Sequence, residues 1–137
     1  MAAYGNMEKA APGLLYGLHH QIDSRLVSGG AIPFGVAVSA ANGDQIVIGG
    51  SNVLGIVART ALDQATNKVG DCVNVVRTGK VWAEASEAIA ADAEVAVDST
   101  TGKIVAKPNS TTAGKINTGW HARTALDAAG LILIDLD

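Results

Sequence analysis

Cys72-Val73-Asn74-Val75-Val76-Arg77-Thr78-Gly79-Lys80-Val81-Trp82-Ala83-Glu84-Ala85 is the stretch on which the fold turns. On either side of Thr78-Gly79, apolar and polar residues alternate, the period of a half-buried strand. Valine dominates the apolar positions, and a β-branched side chain suits a pleated surface. A Thr-Gly pair between two such runs reads as the turn of a hairpin, so two strands are expected, 72–77 and 80–85. In the second, Glu84 shares a face with Trp82, opposite Val81, Ala83 and Ala85.

The same texture runs outward in both directions from Pro33 to the C-terminus. Val36-Ala37-Val38 leads into Ala41-Asn42-Gly43-Asp44, whose Asn-Gly pair suits a tight turn, and Ile46 and Ile48 follow. Val53 to Thr60 alternates again, with Leu54, Ile56 and Ala58 on one face. Glu94 to Asp98 and Lys103 to Lys107 flank Ser99-Thr100-Thr101-Gly102, a hairpin loop ending in glycine. Leu131 to Leu136 is an almost wholly apolar strand. Short strands with turn signals between them predict an all-β fold, a small β-barrel or sandwich domain over residues 33–137. Helix is scarce; Thr60 to Thr66 and Thr124 to Ala129 each have room for a turn or two. Ala58-Arg59-Thr60-Ala61-Leu62-Asp63 recurs as Ala122 to Asp127, but the identity does not extend outward as a duplication requires.

Residues 1–32 differ. Gly5, Gly13, Gly17, Gly29 and Gly30 interrupt any sustained alternation. Leu15, Leu18, Ile22 and Leu26 recur at helical spacing, yet Gly13 and Gly17 in the same window weaken a helix. An extended N-terminal arm carrying apolar pegs fits equally well, and some 30 extended residues reach on the order of 100 Å.

Composition bounds the function. The chain has 137 residues, one domain's worth, and is 48% hydrophobic but only 17% charged and 4% aromatic. An ordinary soluble domain carries roughly 25% charge, so this surface is either poorly solvated or covered by something else. A net charge of −3 with basic residues scattered singly gives no phosphate-tracking stripe, so nucleic acid is not an expected partner. Neither a membrane span nor a secretory signal is legible, and the single Cys72 excludes an internal disulfide and fits synthesis in a reducing cytoplasm.

Candidate chemistry is thin. His20 and Asp23 sit one helical turn apart, but no third metal ligand is suggestively spaced, so no metal and no cofactor is expected. Cys72 lies in a strand, where a buried inert thiol is the usual case. Glu84, Glu87, Asp92 and Glu94 read as a solvated face rather than an acid pair, and no phosphate-binding glycine loop is present. No catalytic residues are assigned. Trp82 and Trp120 are the large anchors, each a core residue or, alternatively, an interface hot spot.

An ordered series of blocks carries a resemblance. Gly13-Leu14-Leu15-Tyr16, Ile22-Asp23-Ser24-Arg25-Leu26 and Ile32-Pro33-Phe34-Gly35-Val36-Ala37-Val38 come first. Leu54-Gly55-Ile56-Val57, Gly70-Asp71-Cys72-Val73-Asn74-Val75, Gly79-Lys80-Val81-Trp82 and Val97-Asp98-Ser99-Thr100-Thr101-Gly102-Lys103 follow, and Gly119-Trp120 closes the series. From about Gly13 onward the chain resembles the structural cement, or capsid decoration, proteins of tailed bacteriophages. The resemblance implies a non-enzymatic homo-oligomer, dimer or trimer, on the outer surface of the virion capsid, made in the bacterial host cytoplasm. Its partner would be the major capsid protein, with adjacent capsomers bridged and no membrane contact. By the same analogy Leu14, Leu15, Tyr16, Leu18, Ile22, Asp23, Arg25 and Leu26 on the arm (residues 1–32) are the expected capsid contacts. The apolar residues would act as pegs and Asp23 and Arg25 as polar registers. The competing reading is a small-ligand-binding β-barrel module with its ligand near Trp82 or Trp120.

Overall fold

The structure is a computed structural model describing residues 12–13, 15–41, 45–50, 52–58, 66–67, 69–108 and 114–136, with the backbone alone for 16–19 and 66–67. Among these residues there is no helix. The strands are β1 (Leu15–Val27), β2 (Ile32–Pro33), β3 (Ala37–Ala40), β4 (Gln45–Ile48), β5 (Val53–Val57), β6 (Thr66–Asn67), β7 (Cys72–Ala85), β8 (Glu94–Asp98), β9 (Ile104–Ala106), β10 (Lys115–Ala122) and β11 (Gly130–Asp135). The all-β expectation holds. The described part of the N-terminal arm is extended rather than helical, and it lies on the sheet as β1.

Nine strands form one sheet in the order β1-β4-β3-β5-β7-β11-β10-β8-β9, with further pairings β1–β7 and β7–β9. Those two extra pairings close two circuits of strands that share β7. The first runs β1-β4-β3-β5-β7 and the second β7-β11-β10-β8-β9. Each closure removes sheet edges that would otherwise stand open. Each circuit has its own apolar filling. Val27, Phe34, Val36, Val38, Ile46, Val57, Val73 and Val75 pack together in the first. Val81, Ala83, Ala85, Val95, Val97, Ile104, Trp120, Ile132 and Ile134 pack in the second, joined by Val76 and Ile56.

The hairpin expected at Thr78-Gly79 does not form. Cys72–Ala85 is one continuous strand, because its two halves find different neighbours. Its first half pairs with β5 (Ile56↔Val76, Val57↔Val75) and β1. Its second half pairs with β11 from Lys80↔Asp135 to Ala85↔Gly130. The Thr-Gly signal marks a bulge instead. Gly79 takes φ 102°, which favours glycine, and the β1–β7 register shifts on either side of Gln21, which faces Thr78. The bulge inverts the side-chain alternation. Val73 and Val75 point to the first core and Val76 to the second, yet beyond the bulge it is odd-numbered Val81, Ala83 and Ala85 that fill the second.

Other expectations hold or shift locally. β3 and β4 pair antiparallel as the Asn-Gly turn requires, although residues 42–44 of that turn lie outside the described residues. The hairpin of β8 and β9 forms as read, with Asp98 Oδ1 accepting from the Thr100 and Thr101 amides at 2.8 and 3.1 Å. Gly102 closes it with φ 71° and gives its carbonyl to the Ala37 amide at 2.8 Å, tying the hairpin tip to the first circuit. Thr124 to Ala129 is not helical; it bends around an isolated bridge between Ile89 and Leu126. The turn expected over Thr60 to Thr66 falls largely outside the described residues. β10, unread in the sequence, has a mixed pattern because it is only partly covered.

Candidate functional site

β1 is where the expected contact residues fall. Its antiparallel partner β7 puts Ile22 opposite Val76, Asp23 opposite Val75, Ser24 opposite Asn74, Arg25 opposite Val73 and Leu26 opposite Cys72. Directly opposed residues share a face, so the alternation splits β1 in two. Asp23, Arg25 and Val27 lie on the side of Val73 and Val75, toward the first core. Ile22, Ser24 and Leu26 lie on the other side, with Asn74 and Cys72, and this face is open to solvent.

The open face is apolar at its ends and polar in the middle. Ile22 is 41% exposed and Leu26 42%, while Ser24 Oγ sits 3.4 Å from Asn74 Oδ1. Beside Leu26, the turn at Val69-Gly70 is held by a Gly70 amide to Val27 carbonyl bond of 2.9 Å, and Val69 is 62% exposed. Of the four exposed large hydrophobic residues among the described ones, three thus gather at this end of the β1–β7 ribbon. The fourth, Leu15, lies at the other end opposite Val81.

On the inward side, Asp23 joins the two strands. Its Oδ2 accepts from Arg77 at 2.9 Å and from Arg25 at 3.3 Å. These hydrogen bonds, Arg77's first and Arg25's second, hold the Asp23 carboxyl below the usual carboxylate range. Asp23 and Arg25 therefore fix the strand against β7, while Ile22 and Leu26 are displayed. Leu14 lies outside the described residues, and for Tyr16 and Leu18 only the backbone places them on β1. Val69, Cys72 and Asn74 lie at the open end of the ribbon and Arg77 on the inward side with Asp23, and none of them was singled out from the sequence as a contact. Cys72 and Asn74 were legible in principle, as the even positions of an alternating run; Val69 and Arg77 join only through tertiary pairing. The thiol of Cys72 is exposed, not buried as its strand context suggested. Cys72 and Asn74 are exposed at the start of β7, whereas Val76 on the same face is buried in the second core.

The other candidates are structural. His20 Nε2 lies 3.0 Å from the Lys80 carbonyl, and among the described residues no three His, Cys, Asp or Glu side chains converge on a metal-sized site. Glu87 Oε2 accepts from the Ala106 amide at 3.1 Å, Glu94 pairs with Lys107 at 3.1 Å and Asp92 with Arg123 at 3.2 Å. Trp120 is core and lines a cavity of about 240 Å³ with Asn52, Val53 and Asn117. No described helix is long and apolar enough to cross a membrane.

The described residues thus form an all-β protein with a displayed strand face at β1. The chain belongs to the phage structural cement proteins: the family described as structural cement protein (E217 gp24/Pam3 gp6) matches residues 2–137, nearly its whole length. It is accordingly a structural component of the phage capsid that associates with capsid proteins. Comparison with curated proteins gives no match.

Proposed function

We propose that this protein docks through residues 1–32, above all β1, on the outer surface of the major capsid protein lattice and bridges adjacent capsomers of the mature head. Residues 33–137 support that strand and carry the contacts of a homo-dimer or homo-trimer. It catalyses no reaction and contacts neither packaged nucleic acid nor membrane. The observation that carries this reading is the concentration of exposed apolar side chains on β1, within the segment whose motifs resemble the family. Leu14, Leu15, Tyr16, Leu18, Ile22 and Leu26 supply the apolar contacts, and Asp23 and Arg25 hold the register.

The stabilising mechanism is mass action. A protein that binds the mature lattice and not its precursor or its dissociated subunits shifts the equilibrium toward that lattice. One strand face is a small contact, but an oligomer presents several, and linkage raises avidity over a single contact by roughly 10²–10⁴. A net charge of −3 suits a position away from DNA. The test uses purified heads lacking this protein. Wild-type protein should sediment with them, raise their disruption temperature and add density to the outside of the shell in a low-resolution image. Protein left entirely in the supernatant would overturn the proposal.

A further inference from the structure

The arm is fastened to the domain at a second place, away from Asp23. Pro12 and Gly13 lie against Gly35, which is buried. A Cβ added to Gly35 would stand 2.9 Å from the Gly13 nitrogen and from Cα and Cβ of Pro12, closer than real Cβ atoms come to their neighbours. Backbone hydrogen bonds fix both sides of this contact. The Gly35 amide donates to the Val57 carbonyl of β5 at 2.9 Å, and the Gly35 carbonyl accepts from the Glu84 amide of β7 at 3.0 Å. The Gly13 amide donates to the Trp82 carbonyl of β7 at 2.7 Å. The two glycines belong to two of the blocks that carry the resemblance, Gly13-Leu14-Leu15-Tyr16 and Ile32-Pro33-Phe34-Gly35, and the fold brings them together.

β1 needs this contact because its ladder with β7 is broken. Leu15 and Tyr16 face Val81 and Lys80, the next opposed pair is Gln21 with Thr78, and the register shifts between them. Extra residues in one strand give it local freedom to bend. The ion pairs of Asp23 with Arg25 and Arg77 therefore hold the strand after the break but do not set where it lies before the break. On its other side β1 meets β4 only at Leu26 and Val27. Before the break, the bond from Gly13 and the room left by Gly35 place the chain on β7.

We propose, resting on the capsid-docking reading, that Gly35 is a positioning residue for docking. It seats Pro12 and Gly13 on β7, and the seat aims the N-terminal part of the arm, with Leu15 exposed on it, at the capsid protein. The seat stays closed when the protein docks. A side chain at position 35 presses on backbone atoms of the arm, which cannot swing aside as a flexible side-chain end can. Gly35 itself is bonded to β5 and β7 at once, so the arm is the partner that gives way.

The experiment compares Gly35→Ala with Gly119→Ala. Both positions have φ 80°, but a Cβ at Gly119 meets nothing within 4 Å, so the second variant carries the backbone strain without the crowding. In Gly35→Ala the Gly13 amide should exchange about tenfold faster than in Gly119→Ala, while the Val57 amide, bonded to the Val36 carbonyl, stays protected. Sedimentation with heads, at a temperature where circular dichroism shows both variants folded, should give about threefold or more weaker binding for Gly35→Ala. A Gly13 amide as protected in Gly35→Ala as in wild type overturns the seat. Fast exchange with binding equal to that of Gly119→Ala overturns the role in docking and leaves the docking reading standing. Wild-type protein that does not sediment overturns both. If Gly35→Ala fails to fold, wild-type protein decides: its Gly13 amide should exchange slowly both free and on heads. Fast exchange at Gly13 in protein that has sedimented with heads shows the seat opening on docking and overturns the proposal.

Discussion

Replacing the displayed apolar residues with serine, Ile22→Ser, Leu26→Ser and Val69→Ser together, tests the docking face most directly. A fully buried aliphatic side chain gains about 1.5–3 kcal/mol over an exposed one. Ile22 and Leu26 are 41% and 42% exposed and Val69 62%, so covering what remains gains about 0.6–1.2 kcal/mol at each of the first two and about 1–2 kcal/mol at the third. Losing all three contributions, about 2–4 kcal/mol, weakens a single docking contact by about 30- to 1,000-fold. The covered parts of the same side chains contribute to folding as well, so the melting midpoint will fall by about 5–15 °C. Binding is therefore measured near 15 °C, after circular dichroism has shown the variant folded. The assay is sedimentation with heads over a range of protein concentrations. A folded variant that binds within threefold of wild type would refute the assignment of this face.

Asp23→Asn should lower the melting point above about pH 5 and have progressively less effect below the usual carboxylate range. Hydrogen bonds from Arg77 and Arg25 depress the folded-state pKa, so the stability they confer is present once the unfolded carboxyl is ionised and is lost as pH falls through the lowered folded value. A melting series from pH 2 to 8 on both proteins checks this; a difference confined to pH 6–8 would contradict it. Gly102→Val imposes a left-handed φ on a β-branched residue and drives its Cβ against the Ala37 carbonyl, so it should cost about 2 kcal/mol or more and lower the melting midpoint by about 6 °C or more. Deleting residues 1–26 should destabilise the chain and expose apolar surface to a reporter dye, because the first half of β7 loses the strand beside it and the first circuit opens. A truncated protein with a wild-type melt would show that β1 is dispensable for folding.

Strand identity was legible where Val, Ile and Ala are dense between turn signals. β3, β4, β5, β8, β9 and β11 follow from such runs, whose buried positions are Val, Ile or Ala except for Ser39, Gly55, Leu133 and Asp135. What failed was the local meaning of glycine. Thr78-Gly79 and Thr101-Gly102 look alike as dipeptides, yet one bends a continuous strand and the other closes a hairpin. The difference lies in the neighbours each flank finds, Val57 and Ile56 before the bulge and Ile132 and Ile134 after it, and these are remote in sequence. The same limit applies to the surface. Ile22 and Leu26 could be singled out, but Val69 comes to their end of the ribbon only through the turn that binds Val27, and Arg77 meets Asp23 only through the β1–β7 pairing.

The low charge of the chain acquires a physical meaning from the way β1 is built. A strand that both closes a sheet circuit and presents a binding surface must keep the two tasks on different side chains, or each would disturb the other. Period-2 geometry provides that separation: Asp23, Arg25 and Val27 turn inward and hold the strand, while Ile22, Ser24 and Leu26 turn outward. Charges on the outward positions would make the free face more soluble and the docked face costly to desolvate. The ion pairs of β1 accordingly sit on the inward side, where Asp23 meets Arg25 and Arg77, and the outward side is apolar or neutral. On the proposed docking through β1, a scarcity of charge that looks like poor solvation in the composition is, at this strand, the condition for a surface that folds exposed and functions covered.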